Sequence, residues 1–293
     1  PLLAGETGSL LFGGFRSRAV PRQGLRTGHT SGTTGTPLAV GYDRDVVRFT
    51  YAVFDRHYRW TGCRMGPGGD RVAVVRGNVI VPLNRQRPPF WRTNRWQNQL
   101  LLSSFHLSKA NLPAYFDALR RFAPGVLDGY PSTLYVLAKY LQGCGSTFPV
   151  RAVISSSETL YDFQRKLIEE RFEARVFDYY ALAERVVFSG ECDAHEGHHL
   201  SMEYGIAEIV NGAGDPEAPG SAGRLVGTSL HNVGMPLIRY ETSDMSALRP
   251  QPCSCGRGLE MMDDVTTKAE DMLTLADGRV ISPSVLTHPF KPM

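Results

Sequence analysis

The spacing of hydrophobic positions changes along the chain, and the changes mark its elements. Over 108–122, "SKANLPAYFDALRRF" puts Leu112, Tyr115, Leu119 and Phe122 on one helical stripe. "PSTLYVLAKYLQG" (131–143) repeats that period and stops at a glycine, as a helix end does. Elsewhere the period shortens. "RVAVV" (71–75) and "NVIVPL" (78–83) are short β-branched runs bounded by Gly, which predicts two buried strands. Residues 37–55, with Val40, Val46, Val47 and Phe49, read as a strand or a helix. "AVISSSE" (152–158), "LYDFQRKLIEERF" (160–172) and "ARVFDYY" (174–180) read as strand, amphipathic helix, strand. That alternation predicts an α/β fold with ligands at the C-terminal ends of the strands. After about residue 205 the helical period disappears, and "GRLVGTSL", "PLIRYETSDM" and "DMLTLADGRVIS" read as strands separated by turns. The expected organisation is an α/β core over 1–205 and a β-rich subdomain over 206–269.

Composition narrows the function less than the pattern does. With 293 residues, 42% hydrophobic, the chain can bury a substantial core. A net charge of +3, from 32 basic and 29 acidic residues, is too balanced to imply a nucleic-acid or membrane surface. The basic stretch from Arg56 to Arg95 also carries Trp60, Trp91 and Trp96, and reads as a solvated face rather than a single-strand groove. No apolar run approaches the roughly 18 residues of a membrane span, and "PLLAGETGSLLFGG" lacks the form of a signal peptide. Five cysteines, an odd number, favour a reducing compartment, so the expected location is cytoplasmic.

Candidate chemistry begins at "GHTSGTTGTPL" (28–38), which is too rich in Gly, Ser and Thr to serve a core. Such a stretch is either a surface linker or a loop whose amides and hydroxyls wrap a polyphosphate. It is not the loop of the nucleotide triphosphatases, because Gly35 is followed by Thr36, Pro37 and Leu38 rather than Lys and Ser or Thr. "TSGTTGTP" resembles instead the phosphate loop of the AMP-forming adenylating enzymes. Four further motifs of that family are present. "YALAE" (180–184) is similar to its strand-turn motif, "SSSETL" to its adenine-contacting segment, and "RYETSD" to its ribose-binding segment. "TKAED" resembles the hinge motif, with Lys268 at the arginine position and Glu270 at the hinge acid. "LDGYPSTL", "FDYYALAERV", "MPLIRYETSDM", "CSCGRGL" and "ISPSVLTHPF" are similar to the phenylacetate–CoA ligase branch and its capsule-biosynthesis relatives.

The resemblance implies the large core domain of an acyl-adenylate-forming enzyme, with stacked α/β sheets and a smaller β subdomain. It makes 270–293 a hinge and the start of a further, small C-terminal domain. It also implies an N-terminal segment and most of that C-terminal domain, with the family's catalytic lysine, beyond this chain. The implied activity is ATP-dependent conversion of a carboxylic acid, aryl or hydrophobic, to an acyl-adenylate and its transfer to a thiol such as CoA. The alternative is a non-catalytic nucleotide- or partner-binding module derived from the family. Catalytic roles fall on Thr33, Glu184 and Lys268. Nucleotide contacts fall on Thr30, Ser31, Gly32, Thr33, Thr34, Gly35, Ser157, Glu158, Thr159, Asp178, Tyr179, Tyr180, Ala183, Glu184 and Asp244. Glu184, a hard carboxylate, suits Mg2+, and Asp244 can accept from both ribose hydroxyls. Tyr130, Pro131 and Tyr179 are candidates for the acyl pocket, although aromatic residues there suit a core equally well. Leu38, Ala181 and Lys268 depart from the family's lysine, glycine and arginine. Implied partners are the acid, ATP and the thiol acceptor, with no nucleic acid and no membrane; a homodimer is compatible with it.

Cys192, His199, Cys253 and Cys255 form a Cys3His set suited to structural Zn2+. The Cys-any-Cys spacing is tighter than usual, and His195 and His198 are rival ligands; the pattern of the branch aligns with His199. Cys63 and Cys144 are expected to be core thiols.

Overall fold

The computed structural model describes residues 3–4, 15–29, 39–267, 273–274 and 280–281. By packing, the chain divides into one unit of 1–57 with 179–293 and another of 58–178.

The first unit begins with β1 (Leu3–Ala4), β2 (Arg26–His29) and β3 (Ala39–Tyr42), the last two paired antiparallel from Arg26↔Tyr42 to His29↔Ala39. The Gly-rich segment 30–38 joins them and lies outside the described residues. Helix α1 (Arg44–Trp60) follows at once. Asp43 starts it by accepting the Asp45 and Val46 N–H groups at 3.0 and 2.9 Å, a side-chain N-cap. The 37–55 pattern is therefore a strand and then a helix.

The second unit is built on β4 (Val72–Val75), β5 (Trp91–Asn94), β6 (Gln99–Leu102), β7 (Val126–Gly129) and β8 (Ala152–Ser156). Strand β4 runs parallel to β6 and β7, β7 parallel to β8, and β5 closes the edge antiparallel to β6. Helices α2 (Leu112–Phe122), α3 (Pro131–Gly143) and α4 (Asp162–Phe172) connect or follow these strands. The predicted stripe of α2 is the packed one: Leu112, Tyr115 and Leu119 are buried and Phe122 packs partly against the same cluster. Leu127, Leu134, Leu137, Val153 and Phe172 complete a predominantly apolar core. Gly129, the last residue of β7, leaves room for the neighbouring strand, since a Cβ there would stand 2.6 Å from Val75 Cγ1, inside contact distance. One expected strand is absent: 78–83 forms none. Val79 is 53% exposed, and Pro82 has no N–H for a ladder. The β5–β6 hairpin was not legible, since "WRTNRWQNQ" alternates weakly. Cys63 is buried as expected, but Cys144 is exposed, because it sits just past the end of α3 rather than within its packed face.

Strand β9 (Val176–Ala181) begins in the second unit and ends in the first. After it come β10 (Phe188–Glu191), β11 (His198–Leu200), β12 (Gly205–Val210), β13 (Gly223–Ser229), β14 (Tyr240–Ser246), β15 (Leu248–Arg249), β16 (Met261–Met262), β17 (Thr266–Thr267) and the ribbon β18 (Leu273–Thr274) with β19 (Val280–Ile281). Strands β9, β10, β11 and β16 pair antiparallel in that order, with β15 on β16. A second sheet joins β12, β13 and β14 antiparallel, with β17 antiparallel and β1 parallel to β14. Among the described residues no helix follows 205, in keeping with the loss of helical period there.

Candidate functional site

In the second unit the polar side chains gather where the parallel strands end. Asp128 on β7 accepts from the Arg76 guanidinium at 2.8 Å and from the Tyr58 hydroxyl at 2.7 Å. Asp178 accepts from Ser155 at 2.5 Å. Ser157 has φ 71°, a left-handed backbone that a non-glycine residue adopts at a cost. The Glu158 carboxylate accepts the Ser132 N–H at 3.0 Å, in the first turn of α3. It thereby satisfies a donor that the helix cannot, and meets the positive end of the helix dipole. Of the adenine-segment residues Ser157, Glu158 and Thr159, Glu158 thus has a structural bond of its own. Burial pushes the Tyr130 phenol up from its ordinary pKa.

In the first unit two bonds cross between β9 and β14. Tyr180, on β9, donates to Asp244 at 2.6 Å, and Tyr240, on β14, donates to Glu184 at 2.7 Å. Glu184 lies in the turn after β9, next to Ala183. Tyr240 and Asp244 lie on one strand, which breaks register with β13 between Glu241 and Met245, where Ser243 has φ 67°. Both acids are buried, Glu184 at 7% and Asp244 at 9% exposed. Burial raises the pKa of Glu184 and the Tyr240 bond opposes the rise. Burial and the adjacent Asp244 charge hold Tyr180 protonated, a fixed donor. The sequence analysis missed Tyr240, and the irregular strand between it and Asp244 leaves no period that would have signalled it.

Arg185, with φ 57°, turns its side chain the other way. It donates to Thr50 at 2.7 Å, lies 4.4 Å over the Tyr42 ring, and lines a cavity of about 290 Å³ with Arg26, Tyr42, Thr50 and Tyr51. Tyr179 is in the core: it is 3% exposed and packs against Phe54, Phe188 and His57. Thr30, Ser31, Gly32, Thr33, Thr34 and Gly35 lie outside the described residues, as do Leu38, Lys268 and Glu270.

The tertiary structure brings Cys192, His199, Cys253 and Cys255 together, one donor atom from each lying within 4.8 Å of the others. Cys192 Sγ is 3.7 Å from Cys253 Sγ, and Cys255 Sγ is 3.4 Å from His199 Nε2. A tetrahedral zinc with bonds of about 2.3 Å to S and 2.0 Å to N sets ligands about 3.8 and 3.5 Å apart. The donors stand at those separations. Burial pushes the Cys253 thiol up to about 12 and raises Cys192. Cys255 feels burial too, but hydrogen bonds from Arg257, including its N–H at 3.5 Å, hold it below the ordinary thiol value. A bound cation would ionise the other two.

No protein-family model matches the chain. It is 32% identical over 180 residues to Protein CapK of Staphylococcus aureus, covering 60% of this chain and 38% of that protein. It is 26% identical over 280 residues to the phenylacetate-coenzyme A ligase of Thermus thermophilus, covering 88% of this chain and 58% of the ligase. The chain thus spans about six tenths or less of the length of these curated relatives. In fold it is similar to 2-hydroxyisobutyryl-CoA ligase, crystallised with 2-HIB-AMP and CoA in the thioesterification state. The TM-score is 0.70 at 20% identity, over 97% of this chain and 61% of that one. The ordered motifs, these relatives and this fold agree: the chain is similar to the AMP-forming adenylating enzymes and, among them, to the phenylacetate–CoA ligase branch.

Proposed function

We propose that this chain is the nucleotide-binding core of an enzyme that activates a carboxylic acid with ATP and passes the acyl group to a thiol, that of CoA. In the first step a carboxylate oxygen bonds to the α-phosphorus and pyrophosphate leaves. In the second a thiolate bonds to the acyl carbon and AMP leaves. The observation that carries the reading is the crossed pair of bonds that fixes Glu184 and Asp244. A preorganised acid costs no reordering when charge builds in the transition state.

Asp244, its second oxygen set by Tyr180, accepts from the ribose hydroxyls. Glu184 offers a buried carboxylate suited to Mg2+, which when bound neutralises phosphate charge. The amides and hydroxyls of 30–36 supply neutral donors to the phosphates. An aryl or other hydrophobic acid is the substrate class, in line with the phenylacetate-coenzyme A ligases the chain resembles. The Cys3His set holds one structural zinc.

Acid-dependent ATP–pyrophosphate exchange across aryl and alkyl acids tests the first step, with ATP affinity by calorimetry beside it. Glu184→Gln keeps the Tyr240 bond but loses the charge, and exchange is expected to fall about 10²-fold or more. Because burial raises the Glu184 pKa, the Mg2+ requirement should steepen on acidification while the pH is still above the ordinary carboxylate range. ATP binding without exchange for any acid favours the non-catalytic alternative, to which Leu38 and Lys268 would then belong.

A further inference from the structure

The hairpin of β10 and β11 carries a second donor set on its other face. In the register Gly190 faces His199 and Glu191 faces His198. Successive residues of a strand point to opposite sides. Cys192 and His199 therefore serve one face, and Glu191 and His198 the other. On that other face a carboxylate oxygen of Glu191, a ring nitrogen of His198 and a carboxylate oxygen of Asp264 lie within 4.8 Å of one another. Glu191 and His198 are buried, at 3% and 1% exposed, while the Asp264 side chain reaches solvent.

We infer that Glu191, His198 and Asp264 form a second divalent-metal site, of N/O character, back to back with the cysteine site. Two observations support it. His198 Nε2 is 3.5 Å from Asp264 Oδ1. That contact is long for a charged hydrogen bond, which closes to about 2.7–2.9 Å. It matches two ligands about 2.1 Å from one tetrahedral ion, which stand about 3.4 Å apart. The far side of His198 is also set for ligation, since Nδ1 is 3.2 Å from Ser189 Oγ. An Nδ1–H donated to that hydroxyl leaves the Nε2 lone pair facing the carboxylates, the second-shell arrangement usual for metal-bound histidine. One imidazole with carboxylates and an open outer side selects a first-row ion such as Zn2+ or Mn2+ over a thiophilic one.

Such an ion would tie the hairpin to the segment entering β17. Strand β17 pairs with β14 at Asp244↔Thr267 and Met245↔Thr266. Its loss should loosen the strand opposite the ribose-binding candidate Asp244.

The test is metal content and cobalt spectroscopy on the 293-residue chain. Protein purified without added metal is dialysed against Zn2+ alone or Co2+ alone. Two ions per chain are expected, one giving intense thiolate-to-cobalt bands and one only weak N/O bands. Asp264→Asn, at an exposed position that spares the fold, and Glu191→Gln should each lose the weak-band ion and keep the thiolate bands. Cys255→Ser should do the reverse. Amide exchange at 264–267 should quicken in Asp264→Asn. A single ion per chain that Asp264→Asn leaves in place overturns the inference and makes these contacts plain ion pairs. So does a second ion lost only with the cysteines.

Discussion

The sheet of the second unit and the β10–β11 hairpin of the first are both buried, by opposite means. Strands β7 and β8 are buried at every position, and the residues packed on them are Leu, Val, Phe and Tyr. Their polar groups lie at the ends, where Asp128 meets Arg76 and Ser155 meets Asp178. The hairpin instead buries Glu191, Cys192, His198 and His199 within a few residues. Helix α1 lays His57 over Gly190, where a Cβ would come within 2.5 Å of the imidazole. Apolar packing stabilises in proportion to area, whatever the partner. A buried polar cluster stabilises only when each member finds its particular partner. The first region is therefore robust and generic, the second conditional on charge and, as proposed above, on metal.

The largest contrast should come from metal removal. A chelator, or Cys192→Ser, is expected to loosen 188–200 and 253–262, seen as faster amide exchange, while 126–156 stays protected. Zinc that folds small domains binds with about 10 kcal/mol or more, so calorimetry should show the greatest loss of stability here.

Next, Leu134→Ala in α3 removes a fully buried side chain from the apolar core. It should cost about 2–5 kcal/mol in denaturant unfolding, equally with and without chelator. A chelator-dependent cost would erase the distinction between the regions.

Acid should separate them further. Burial, with the His198 and Arg56 charges and against Glu191, lowers the His57 pKa from 6.5 to about 3. Between those values the unfolded chain binds a proton that the folded chain refuses. Stability therefore falls as pH drops from 6.5 toward 3, by about 1.4 kcal/mol per unit. His57→Leu should lose this slope, so its difference from wild type should change across pH 4–6, while Leu134→Ala keeps the slope and differs from wild type by a constant.

The smallest effect tests the polar edge of the apolar unit. Glu158→Gln keeps an acceptor for Ser132 but loses the charge at the start of α3. It should cost about 0.3–1 kcal/mol and raise the KM for ATP more than it lowers kcat. Glu158→Ala, losing both, should cost more. A fall in kcat alone would make Glu158 a contact of the reacting groups rather than a positioning residue.

Local pattern made the α2 and α3 stripes, the strand-helix-strand run over 152–180 and the loss of helices after 205 legible, because periodicity reports burial wherever one face is packed. It failed at 78–83, where a β-branched run buries Val81 but exposes Val79 and forms no strand, and at β5–β6, where the strands are short. The motif residues were legible as a set because their order along the chain is itself the signal. Their bonding was not.

The sequence by itself nominated the residues on which the proposed chemistry rests: two acids in fixed motifs, three cysteines and a histidine, and a loop of donors. Tertiary structure alone decided their company. Tyr240 holds Glu184 across 56 residues, Cys255 meets His199 across 56, and Glu158 meets Ser132 across 26. No local period encodes such pairs, since they depend on which strands lie side by side. The same pairing decides that His198 and His199, neighbours in sequence, face opposite sides of one hairpin, where a strand turns adjacent residues apart.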